Sequence, residues 1–193
     1  MTTKKEMSRL IIEYCKALRL PSIRRLFEAE IAEARLRDIS YEEFLFNLLQ
    51  KENDLRYENG RKNRIRIANF PCKKYLEDLV VEYLPEDARK KLKTLSSLEF
   101  IKTGQNVILA GNPGTGKSHI AIGLGIKACM EGYKVLFTTV PLLINQLKES
   151  RSAKTLRAYE NKFEKYDLVI ADELGYISFD KEGSELLFTN LSL

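Results

Sequence analysis

Eight residues constrain this chain more than any others: Gly111-Asn112-Pro113-Gly114-Thr115-Gly116-Lys117-Ser118. They fit G-x-x-x-x-G-K-[ST], the phosphate-binding loop. Glycine lacks a Cβ, so the backbone can take positive φ and approach a phosphate closely. The turn's N–H groups then form an anion nest, and a helix starting at Lys117 adds the positive end of its dipole. Lys117 is expected to reach the β- and γ-phosphates and the Ser118 hydroxyl to bind Mg²⁺. The context matches the motif. Val107, Ile108, Leu109 and Ala110 make an apolar run that predicts a strand buried on both faces, and a helical pattern follows the loop.

A second chemical motif lies some fifty residues on. Leu168, Val169, Ile170 and Ala171 predict another buried strand, which ends in Asp172 and Glu173. Ligands of parallel sheets bind beyond the carboxyl ends of strands. Asp172 is therefore expected to hold hydrated Mg²⁺, and Glu173 to act as general base on the attacking water. One further strand, residues 134–139, falls between the two motifs. That order sets the acidic strand one position away from the loop strand and leaves room for a water, as in ATP-hydrolysing motors.

Residues 1–70 read differently. Thr3 and Glu6 form a capping box, and Met7, Leu10, Ile11, Tyr14 and Leu18 follow at helical spacing. Pro21 opens a second stripe of Ile23, Leu26, Phe27, Ile31 and Ala34. Ser40 and Glu43 cap a third, with Tyr41, Phe44, Leu45, Leu48 and Leu49, and Asn59-Gly60 reads as its stop. A small three-helix bundle with these stripes in its core is expected. Leu76 to Leu84 and residues 88–100 read as two more amphipathic helices, and residues 181–193 as a last one. The expected domains are a helical 1–70, for DNA or partner binding, and an α/β nucleotide domain, 71–193.

Charge supports a polyanionic partner. The first hundred residues carry 21 Lys and Arg against 17 Asp and Glu, and the rest 11 against 10. Arg61, Lys62, Arg64 and Arg66 cluster within six residues, as phosphate contacts to DNA would require, although most such runs are solvated faces. The cysteines Cys15, Cys72 and Cys129 fit neither a disulfide framework nor a zinc site. His119, the single histidine, nearly excludes a His-based metal centre or a Ser-His-Asp triad, and is expected to pack or to lie near the nucleotide. No apolar run approaches the ~18 residues of a membrane span, so a cytoplasmic protein is expected.

The segments Leu109-Ala-Gly-Asn-Pro-Gly-Thr-Gly-Lys-Ser-His-Ile-Ala121 and Ile170-Ala-Asp-Glu-Leu-Gly-Tyr176 resemble the AAA+ ATPases of the IstB/DnaC group. Leu18-Arg-Leu-Pro21, Ser40-Tyr-Glu-Glu-Phe44 and Asn69-Phe-Pro71 are similar to the IstB-like members in particular. The resemblance implies a P-loop ATPase of AAA+ type with an N-terminal helical bundle. It also implies binding of ATP with Mg²⁺ and of duplex DNA, homo-oligomers, and help to a transposase. Loading of a replicative helicase, as in DnaC, is the alternative. The family pattern continues past Glu173 with further strands and a lid that carry a sensor residue and an arginine finger. By that pattern the chain reads as truncated and slow in hydrolysis.

Overall fold

The computed structural model describes residues 3–174 and 181–191. Gly175, Tyr176 and the end of the expected last helix at Leu193 lie outside them. The chain divides into two compact units, Met1–Gly60 and Arg61–Leu193.

The first unit is helical. Helix α1 spans Lys4–Ala17 and starts with the predicted capping box, the Thr3 hydroxyl accepting from the Glu6 N–H at 3.2 Å and Glu6 Oε2 accepting from the Thr3 N–H at 2.7 Å. Helix α2 spans Pro21–Arg37, and α3 spans Tyr41–Ile67, belonging to this unit as far as Gly60. No side chain of α2's own segment caps it. Instead Glu52 of α3, buried to 3% exposure, accepts the Ser22 and Ile23 N–H groups at 2.8 and 3.2 Å. Arg56 Nε pairs with the other carboxylate oxygen at 3.1 Å, and its Nη2 donates to the Arg19 carbonyl.

Two expectations are corrected here. Asn59-Gly60 does not stop α3, which continues to Ile67. A helical glycine costs only about 1 kcal/mol, and the turn beyond it is held by Ile65 and Ala68, both part of the second unit's core. The helix ends where Asn69 turns left-handed at φ 64°, before Pro71. Secondly, the predicted stripes are not all core. Met7, Tyr14, Leu18, Tyr41 and Leu45 are exposed, while Cys15, Phe27 and Leu48 are buried. Three helices in so short a segment have little interior, so one apolar edge of the α1 and α3 stripes stays outside, whereas no member of the α2 stripe is exposed.

In the second unit β1, Val135–Thr139, pairs in parallel with β2, Leu168–Asp172, with Val135 opposite Leu168 and Thr139 opposite Asp172. Strand alternation gives the sheet two faces. Against one lies α6, Lys117–Glu131, whose Ile122 and Ile126 pack on Phe137, while Gly125 lets Ile170 and Phe70 in so closely that a Cβ there would come within 2.6 Å of Ile170 Cδ1. On the other, α7, Val140–Ser152, buries Val140, Leu143, Ile144 and Leu147 against Leu186 and Leu187 of α9, Lys181–Leu191. Helix α8, Leu156–Phe163, adds Tyr159 and Phe163 to this layer.

The approach to α6 departs from the sequence pattern. Residues 76–84 form two single 3₁₀ turns, Leu76–Asp78 and Val81–Tyr83, in place of a helix. Residues 88–100 are broken into α4, Glu86–Leu95, and the one-turn α5, Glu99–Lys102, because Leu98 sits fully buried in a left-handed conformation at φ 59°. The expected strand at Val107–Ala110 is extended chain without strand pairing, and Ile108 is 82% exposed. A strand needs a neighbour for its N–H and C=O groups. Among the described residues β1 and β2 pair with each other, the Phe137 N–H on the far edge of β1 donates to the Ala68 carbonyl, and no third strand runs alongside 105–110.

Candidate nucleotide site

The loop between residue 110 and α6 has the backbone its glycines permit. Gly114 and Gly116 lie at φ 79° and 84°, where a side chain would be strained, and Gly116 serves as N-cap of α6. Lys117 and Ser118 thus open the helix, where the unpaired N–H groups and the helix dipole favour an anion. Two side chains close the loop on itself. Lys117 Nζ donates to the Asn112 carbonyl at 2.7 Å, and the Thr115 hydroxyl donates to the same oxygen at 2.8 Å. Gly111, Asn112, Pro113, Gly114 and Thr115 are all exposed. The loop is an open, preformed cradle with its cation already inside it.

Asp172 ends β2 directly opposite Thr139, at the carboxyl end of the parallel pair. Alternation puts Asp172 on the same face as Ile170, the face that packs on α6. Asp172 is half-buried and its Oδ1 accepts the Glu173 N–H at 3.0 Å. Glu173 is exposed and holds a left-handed φ of 66°, a conformation that costs a non-glycine residue roughly 1–2 kcal/mol. Strain of this kind concentrates at working sites. Among the described residues no three His, Cys, Asp or Glu side chains gather into a metal cluster. The donors offered by Ser118 and Asp172 are hard oxygens, the kind Mg²⁺ takes in company with phosphate and water. The residue set fits that ion.

The basic cluster lies elsewhere. Arg64 Nε donates to the Cys129 carbonyl at 2.7 Å, twelve residues along α6 from Lys117, which is about 18 Å of helix. Arg66 donates to Asn63 Oδ1 at 2.8 Å; Lys62 and Arg66 are exposed, Arg61 and Arg64 half-buried. The cluster and the loop therefore occupy opposite ends of one helix. Arg64 also lies beside the buried Cys129 thiol, whose pKa burial pushes up to about 11.

One participant escapes periodicity altogether. His119 Nε2 bonds the Tyr75 carbonyl at 2.8 Å across 44 residues of sequence. The available signal was the lone histidine itself, three residues after Gly116.

Known proteins resemble this chain. A family model described as IstB-like ATP binding protein matches residues 13–193. A protein named for ATP binding in insertion sequence IS5376 of Geobacillus stearothermophilus is 32% identical over 182 residues, 94% of this chain and 72% of its own length. Its counterpart by name in IS21 of Pseudomonas aeruginosa is 34% identical over 165 residues, 86% of this chain and 62% of its own length. That of IS232 in Bacillus thuringiensis subsp. berliner is 28% identical over 151 residues, 78% of this chain and 60% of its own length. The chain thus spans less than two thirds of the latter two relatives.

Proposed function

The chain belongs to the IstB-like ATP-binding proteins, and on that premise we propose that it is an ATP-controlled, DNA-binding partner of a transposase. The observation that carries this is the joint placement of Lys117 and Ser118 at the start of α6 and of Asp172 at the carboxyl end of the strand packed against that helix. Residues 111–119 take the triphosphate of ATP, with Lys117 on the β- and γ-phosphates. Ser118 and Asp172 hold Mg²⁺, which when bound supplies positive charge to the phosphates. Glu173 takes the proton of the attacking water. Turnover is slow in this chain, because among the described residues no strand lies beside residues 105–110 to fix the loop's leading edge.

Residues 1–70 serve DNA or partner binding and residues 71–193 the nucleotide. Lys62 and Arg66 stand exposed for duplex phosphates, beside Arg61 and Arg64. ATP favours self-assembly into a homo-oligomer, and the protein works in the cytoplasm. Among the described residues no helix is long and apolar enough to cross a membrane. The relatives named above come from insertion sequences, which favours a transposase over a replicative helicase as partner.

The test is DNA binding with and without ATP, repeated with the transposase and with the helicase. Nucleotide-dependent DNA affinity that rises with transposase alone supports the reading. A rise with helicase alone replaces it by the loader.

A further inference from the structure

We infer that the end of α3 and the helix α6 act as one lever, so that DNA on Lys62 and Arg66 tightens ATP in the loop and ATP tightens DNA; this rests on the nucleotide and DNA readings above. The link is Arg64. Lys62 and Arg66, four residues apart, share one face of α3, while Arg64, Ile65 and Ala68 turn to the other side. The outer pair is exposed. The inner side is packed into the second unit. Arg64 Nε donates to the Cys129 carbonyl of α6 at 2.7 Å, and the Ala68 carbonyl accepts the Phe137 N–H of β1 at 2.7 Å. Ile65 packs on the cluster of Ile122, Ile126 and Phe137, and Phe70 Cε1 lies 2.8 Å from where a Gly125 Cβ would stand.

Helix α6 is built to shift as one piece. Both of its caps are left-handed glycines, Gly116 at φ 84° and Gly132 at φ 109°, so the chain turns freely at either end. Small sliding of a packed helix is a common switching motion. Cys129 stands in the last turn, where carbonyls run out of intrahelical donors and the helix dipole favours a cation. Arg64 supplies both donor and charge there, at the end of the helix opposite Lys117. DNA phosphates on Lys62 and Arg66 fix the last turns of α3, and Arg64 passes that restraint to α6. The loop then meets ATP with less freedom left to lose. Linkage makes the effect equal in both directions. Arg64 is a positioning residue in this scheme, since it reaches the loop only through α6.

The experiment is equilibrium binding of ATP with and without a DNA duplex, and of the duplex with and without ATP. It uses the whole chain as wild type, R64K, R64A and E52A. The coupling factor is the ratio of the two affinities. In the wild type it is expected within about 5- to 150-fold, and the same from either side. R64K keeps the charge but sets a methylene where Nε stands, so its factor should fall to about one, as should that of R64A. E52A loses stability through contacts confined to the first unit and should keep the wild-type factor. A wild-type factor of about one with both ligands bound would overturn the inference. So would a wild-type factor retained in R64K. An equal loss in E52A would assign the coupling to general loosening of the fold, and would overturn it too. A wild-type chain that binds no ATP, or no duplex, would instead remove the nucleotide or the DNA reading beneath it.

Discussion

Lys117 Nζ donates to the main-chain oxygen of Asn112 at 2.7 Å, so the cation of the loop is held by the loop. On the function proposed above, an entering phosphate finds the ammonium in place and does not have to order it, which lowers the entropic cost of binding. The carbonyl also tethers Thr115, so one backbone oxygen organises both side chains.

Replacement of Lys117 by Ala removes that charge and leaves the helix start intact. A hydrogen bond to a charged group is worth about 1.5–3 kcal/mol, so ATP affinity should fall by roughly 10- to 150-fold. Isothermal titration measures this, and unchanged affinity would end the assignment of residues 111–118.

Glu173→Gln keeps shape and removes the base. Turnover should drop by about 10²–10⁴ while ATP binding persists, since Lys117 and Ser118 do not depend on it. Phosphate release and nucleotide titration on the same preparation separate the two. Loss of binding would move Glu173 from proton transfer to the ligand cradle.

Glu52→Ala strands the Ser22 and Ile23 N–H groups at the start of α2 and leaves Arg56 without its carboxylate. An orphaned buried donor costs about 1–3 kcal/mol. Urea unfolding should report a loss in that range, with nucleotide affinity unaltered. A cost within ~0.5 kcal/mol, the usual effect of surface changes, would show that water replaces the carboxylate.

The basic residues should divide by environment. Lys62→Ala with Arg66→Ala should flatten the dependence of log K for DNA on log salt by about 1.8, at about 0.9 per contact. Arg64→Ala should instead lower thermal stability, because its Nε holds the Cys129 carbonyl. A salt slope unaffected by the double variant would make residues 61–66 a solvated face.

Thiol chemistry checks the packing of α6. Cys129 is buried, and its pKa near 11 keeps it a thiol at pH 8; Cys15 is buried and Cys72 exposed. The thiolate is the reactive form. A chromogenic disulfide reagent at pH 8 should therefore titrate one cysteine rapidly in the native chain and three after denaturation. Because burial raises the Cys129 pKa above its ordinary 9.0, its ionisation should erode stability as pH climbs from about 9 towards 11. Rapid reaction of two thiols in native protein would mean that α6 is not packed as described.

Much of the candidate site was legible in the residues, because its chemistry is local. Positive φ at Gly114 and Gly116, a helix opening at Lys117, and acids closing the run 168–171 each depend on a few neighbouring residues. So do the Thr3–Glu6 box and the sites where α1, α2 and α3 begin. Contacts made across long stretches of chain were not legible. Val107 and Ile108 have strand-forming side chains, yet a strand is a relation to a neighbour and none lies beside them among the described residues. The stripe Met7, Leu10, Tyr14 and Leu18 is periodic, but periodicity says which residues share a face and not whether anything covers it. Gly60 looks like a stop until the packing of Ile65 and Ala68 outweighs its modest cost. Glu52 capping α2 from thirty residues away, and His119 holding Tyr75 from forty-four, leave no trace in spacing. The sequence by itself determined the glycine loop that opens α6 and the acidic strand end, since backbone freedom and side-chain chemistry act within a turn or two. Only the tertiary structure decided which apolar faces are covered, which extended segment pairs, and what holds the turn beside the loop, since those depend on groups that only folding brings together.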